Sequence, residues 1–86
     1  MNEAIRSECL QPAENWQQPT GQEVKAILKQ ADLKGSEAAA LLGLGEGGSR
    51  TIRRWTGQES KIPYAAWALL CWFAGHGVIW DIDNDR

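Results

Sequence analysis

The apolar positions of this chain form one helical stripe, two short helical faces set apart by glycines, and a block that is apolar all round. Val24, Ile27, Leu28 and Ala31 are spaced by three and four, which puts them on one side of a helix. Thr20-Gly-Gln-Glu23 precedes them in the form of a capping box, with a hydroxyl for orphan amides and a carboxylate three residues on. Gly35 is the expected left-handed stop. Ser36 is expected to cap a second helix with the apolar face Ala38, Ala39, Leu41 and Leu42, ended by Gly43. The small Ala39 suits a close approach of two helices. Gly43-Leu-Gly-Glu-Gly-Gly48 is a turn whose backbone takes conformations that other residues avoid, with Leu44 as its inward pin. Ser49 is the expected cap of a third helix, which runs to about Thr56 and stops at Gly57. Its wheel puts Ile52 and Trp55 inside, Arg50 and Arg54 opposite, and Arg53 on the flank.

A polar loop leads to Ile62-Pro63, and proline suits the first turn of a helix. That fourth helix, 63–74, is apolar on every side, so three short partners cannot hide it fully. One face is expected to join two copies of the chain through Trp67, Leu70, Trp72, Phe73 and Trp80, although the leader or the tail would also serve as a cover. Gly75-His-Gly77 ends the helix, with His76 expected against its carbonyl end. Val78, Trp80 and Ile82 then alternate as in a strand, which has no second strand to pair with. It is expected either to pair with its own copy or to lie as an extended arm. Before all of this, residues 1–19 are polar, with Trp16 as their strong anchor, and predict a loosely held leader. The division expected is therefore leader 1–19, helical domain 20–75, and arm with acidic tail 76–86.

Eighty-six residues allow one domain and no separate cofactor domain. Trp16, Trp55, Trp67, Trp72 and Trp80 are many for this length and are expected in the core, with some serving an interface. The net charge is −2, but its distribution is uneven. Residues 47–62 carry Arg50, Arg53, Arg54 and Lys61 against Glu59, while each of the other stretches is net acidic. A local field, more than the total charge, decides whether a phosphate backbone is attracted, and on charge alone a solvated helix face is the slightly favoured reading. Cys9 and Cys71 make no disulfide framework, and Cys71 sits in an apolar run as a small core residue of a reduced compartment. No basic segment followed by an apolar one opens the chain, and the run from Tyr64 to Gly75 is too short to span a bilayer. A cytoplasmic protein without membrane association is the expectation.

Ala39, Gly43 and Ile52 are the small residue, turn glycine and apolar residue that let two helices of a helix-turn-helix cross closely. With Ser36-Glu-Ala-Ala-Ala-Leu-Leu-Gly43, Thr51-Ile-Arg-Arg-Trp-Thr-Gly57 and Ile62-Pro63 before a further helix, residues 20–75 resemble the lambda-repressor-like helix-turn-helix family of phage and bacterial regulators. The Gly45-Glu-Gly-Gly48 stretch makes the turn longer than the family's tight form. The resemblance implies an all-α domain of four to five helices, here with a short extended C-terminal arm. It implies sequence-specific binding of double-stranded DNA by a homodimeric transcriptional regulator of phage or mobile-element type.

Within that reading, Arg50 and Arg54 are the candidates for base edges and Arg53 and Lys61 for phosphates. Ser49 and Thr51 complete the candidate DNA-binding set, with Ser49 and its neighbouring amides suited to a phosphate. The competing reading is a protein-interaction module (an antitoxin, an adaptor or a phage inhibitor of a host protein) that uses helix 63–74. Catalysis is not expected. Gly45–Ser49 lacks the strand and lysine of a nucleotide loop, Cys71 and His76 have no third partner, and Asp81 and Asp83 are explained by an acidic tail. Neither a metal nor a cofactor is expected.

Overall fold

The capping box at Thr20 forms as its residues dictate. The Thr20 hydroxyl accepts from the Glu23 amide at 3.2 Å, and the Glu23 carboxylate accepts from the Thr20 amide at 2.7 Å. In the computed structural model, which describes residues 5–80, this box opens helix α1, Gly21–Gln30. The following helices are α2, Gly35–Leu41, α3, Gly48–Thr56, and α4, Tyr64–Phe73. Two single-turn 3-10 helices, Ser7–Cys9 and Ala13–Asn15, precede them, and there is no strand among the described residues. The fold is all-α. No helix among the described residues is long and apolar enough to cross a membrane.

Helix starts differ from expectation by one or two residues. Gly35 and Ser36 lie inside α2, whose entry is set by Lys34 donating its amide to the Glu37 carboxylate at 2.8 Å. Ser49 likewise lies inside α3; the cap is Gly47, at φ 79°, a left-handed geometry that costs glycine little. All four helices end alike. Leu33, Leu44, Glu59 and His76 return their amides to the carbonyls of Leu28, Ala39, Arg54 and Cys71 at 2.9–3.0 Å, the Schellman arrangement. Its left-handed position is taken by Asp32 (φ 58°) in α1 and by Gln58 (φ 62°) in α3, where Gly35 and Gly57 were the expected stops.

The core joins Val24, Ile27 and Leu28 of α1, Ala38 and Ala39 of α2, Ile52 and Trp55 of α3, and Trp67, Ala68, Leu70 and Cys71 of α4. Ala39 marks the crossing of α2 and α3. A Cβ on Gly48 would lie 2.6 Å from the Ala39 Cβ and 2.9 Å from that of Leu44, so the glycine sets how closely the helices approach. Of the five tryptophans, Trp55 and Trp67 are buried, Trp16 is half-buried, and Trp72 and Trp80 are exposed.

The leader is held more firmly than its polarity suggests. Cys9 is fully buried in the core, and its carbonyl accepts from the indole of Trp67 at 2.7 Å. The Tyr64 hydroxyl donates to the Gln11 carbonyl at 2.9 Å, and Trp16 meets the Tyr64 ring edge-on at 5.1 Å. Arg6 grips Glu23 through its Nε and Nη2, both at 2.8 Å, and through its own amide at 3.1 Å. Burial alone would push the Glu23 carboxyl up. The Arg6 guanidinium and the amides of Thr20 and Arg6 more than offset that and hold it down to about 2. Burial pushes the Cys9 thiol up to about 11 and that of Cys71 up to about 12, so both are inert core groups.

Three expectations for the C-terminal part are corrected. Trp67 and Leu70 cannot join two copies, because both have 0% exposure, facing α1 and the leader. The alternation after Gly77 is also inverted: Ile79 is buried while Val78 and Trp80 are exposed, because Gly77 (φ 81°) turns the chain before it. Residues 79–80 form a turn and not a strand, and Asp81, Ile82, Asp83 and the tail lie outside the described residues. The His76 ring is not on the helix carbonyls; its Nε2 pairs with Gln30 Oε1 at 2.7 Å.

Candidate nucleic-acid interface

Helix α3 is fixed from one side. Ile52 and Trp55 are buried against α1 and α2, and Gly48 lies under Ala39 and Leu44. Its far end is tied to the start of α1, where the Gly21 amide donates to Gln58 Oε1 at 2.7 Å. A side chain on Gly21 would strike the Thr56 carbonyl, so these two helix ends touch through backbone. A helix of only nine residues is thereby held in orientation along its whole length.

The other side of α3 is charged. Arg50, Arg53 and Arg54 are exposed and line one shallow hollow of about 290 Å³ together with Glu59. Among the described residues none of the three arginines has an ion-pair partner; the Arg6–Glu23 bridge lies elsewhere. Their five-donor forks are thus uncommitted. Ser49 is half-buried and borders a second, open groove between α3 and the start of α2, shared with Arg53 and Ser36. Thr51 is half-buried, and its hydroxyl donates to the Gly47 carbonyl at 3.4 Å, turned back toward the helix start. Lys61 is exposed but lines a separate hollow with Gln18, Trp55 and Gln58, so the fold does not bring it into the arginine cluster. Glu59 is the member of the cluster that sequence reasoning left out. Its place under the end of α3 depends on the left-handed turn at Gln58, which no glycine announces.

A second surface lies on α4. Ala65, Leu69, Trp72 and His76 recur at spacings of four, three and four and are all exposed, with Phe73 and Trp80 beside them. Trp72 is 51% exposed, Trp80 45%, Phe73 44% and Leu69 41%, and none of these carries charge. Tyr64, Ala65, Leu69 and Trp80 enclose an apolar hollow of about 270 Å³ on this face. Among the described residues no group of His, Cys, Asp and Glu is placed to hold a metal ion.

These features define a small all-α domain that carries an arginine-bearing helix on a packed core and an uncharged aromatic face on its last helix. No family model matches the chain, and no solved structure matches it. Two curated relatives from Escherichia coli do: both are named transcriptional repressor protein KorC, and they are 62% and 60% identical over 76 residues. The match covers 88% of this chain and 89% of each relative. The chain belongs to the KorC transcriptional repressor family.

Proposed function

We propose that this protein is a transcriptional repressor that binds double-stranded DNA sequence-specifically as a homodimer, with a lambda-repressor-like helix-turn-helix formed by α2 and α3. Helix α3 enters the major groove. Arg50 and Arg54, on the side away from the core, meet base edges, where a guanidinium donates to guanine O6 and N7. Arg53 and Lys61 hold phosphates on either side, and Ser49 and Thr51 meet the backbone near the helix start. A nine-residue helix spans few base pairs, so two copies reading half-sites one turn apart are needed for useful selectivity. The seam of Leu69, Trp72, Phe73 and Trp80 is the surface that joins them.

The observation that carries this reading is α3 itself: an apolar side locked by Ile52 and Trp55, and an outer side of three unpaired arginines. It occurs in a chain 62% identical to a named transcriptional repressor. Mobility-shift assays on genomic fragments at two salt concentrations test it. Two copies that each place Arg53 and Lys61 on phosphates neutralise about four charges, so a fourfold rise in salt weakens binding on the order of a hundredfold. A folded protein that shifts no fragment would contradict the reading and favour a protein-interaction module built on α4.

A further inference from the structure

We propose that Glu59 belongs to the DNA-reading face, as a hydrogen-bond acceptor that selects a base amine, foremost cytosine N4, next to the base met by Arg54. The proposal rests on the DNA-binding reading above and adds to it a carboxylate that the arginines alone would not suggest. Glu59 is placed by the end of α3: Gln58 turns left-handed, and the Glu59 amide returns to the Arg54 carbonyl at 2.9 Å. In this arrangement the side chains of the two residues joined by that bond commonly make an apolar contact. Helices α1 and α2 follow the rule, with Leu33 over Leu28 and Leu44 over Ala39. Helix α4 sets His76 over Cys71, and helix α3 sets Glu59 over Arg54, which of the four pairs is the one made of two charged residues.

The helix end itself does not favour an acid at this position. A carboxylate at the C-terminal end of a helix meets the negative end of the dipole. Glu59 is exposed and closes no ion pair among the described residues. Its carboxylate nevertheless folds back toward α3: a Cβ on Gly57 would lie 4.0 Å from Glu59 Oε2, and Glu59 borders the hollow of Arg50, Arg53 and Arg54. A face made of arginine alone donates to guanine and to any phosphate. An acceptor on the same face accepts from the exocyclic amine of cytosine and repels phosphate. Glu59 therefore adds a base preference and lowers the hold on unrelated DNA.

The test compares wild type, Glu59→Gln and, as a control for charge alone, Glu14→Gln in the exposed leader. Each protein selects sequences from a random duplex pool, and affinities are then measured for the wild-type consensus and for a shuffled duplex across a salt series. The expected result for Glu59→Gln is loss of a cytosine preference of about fivefold or more at one position. Binding to the shuffled duplex should also tighten about threefold or more with a steeper salt slope. Glu14→Gln should leave the selected sequence unchanged. An unchanged consensus, with both affinities rising by one common factor, would overturn the proposal while leaving DNA binding intact. Failure of the folded wild type to select any duplex would overturn the DNA-binding reading and this proposal with it.

Discussion

Replacing Glu23 with glutamine should loosen the leader and make the loss of stability depend on pH. Glu23 accepts from the Arg6 amide, Nε and Nη2 and from the Thr20 amide, so its charge serves both the α1 cap and the leader. Its carboxyl is held at about 2 against an ordinary value of 4.5. A folded-state value below the unfolded one means stability that is fully present above pH 4.5 and is lost as pH falls toward 2. The full shift corresponds to about 3 kcal/mol at neutral pH, and screening at the half-exposed Arg6 lowers this to about 2 kcal/mol. A domain of this size is stable by roughly 4–13 kcal/mol, so the change is large. Urea unfolding of wild type and Glu23→Gln, followed by tryptophan fluorescence from pH 7 to pH 3, measures the gap. The gap should shrink to less than about half of its neutral value at pH 3. A gap that stays constant across this range would refute the argument that the ionised carboxylate holds the leader.

Gly48→Ala should cost about 1–3 kcal/mol in chemical unfolding, because the added methyl overlaps Ala39 and Leu44 where α2 and α3 cross. Asp32→Gly should raise the melting temperature, with a gain of up to about 1 kcal/mol, because it removes a side chain from a left-handed position and a negative charge from the end of α1. Trp72→Glu should leave the fold intact, since the side chain is half exposed, and should turn a dimer into a monomer in sedimentation. A wild-type protein already monomeric at the concentrations that bind DNA would contradict the proposed role of the α4 face.

Local signals were legible, and distant ones were not. The α1 cap depends on Thr20 and Glu23, three residues apart, and formed as expected. The inner face of α3 followed from Ile52 and Trp55 because a mixed helix shows its period. Helix α4 has no such period: Trp67 and Leu70 look like Trp72 and Phe73 in the chain, and only packing against α1 and the leader decides which pair is buried. Glycine was ambiguous for a related reason, since Gly35 and Gly48 begin helices where a stop or a linker was the natural expectation. The leader's attachment depends on Arg6 and Glu23, seventeen residues apart, and on Cys9 meeting Trp67. Nothing in a polar stretch announces such partners. In the candidate site the arginines were evident from their spacing, whereas Glu59 joins them only through the left-handed turn at Gln58.

In the proposed complex α3 lies in the major groove with Arg50 and Arg54 on guanines. Methylation interference tests this placement most directly, because dimethyl sulfate modifies guanine N7, the acceptor on the major-groove edge. Binding should be blocked at guanines in two half-sites about one helical turn apart, with one guanine per half-site losing its effect in Arg54→Ala and none in Arg53→Ala. Tight, site-selective binding that is indifferent to guanine N7 methylation, or an interference pattern identical in wild type, Arg50→Ala and Arg54→Ala, would contradict it.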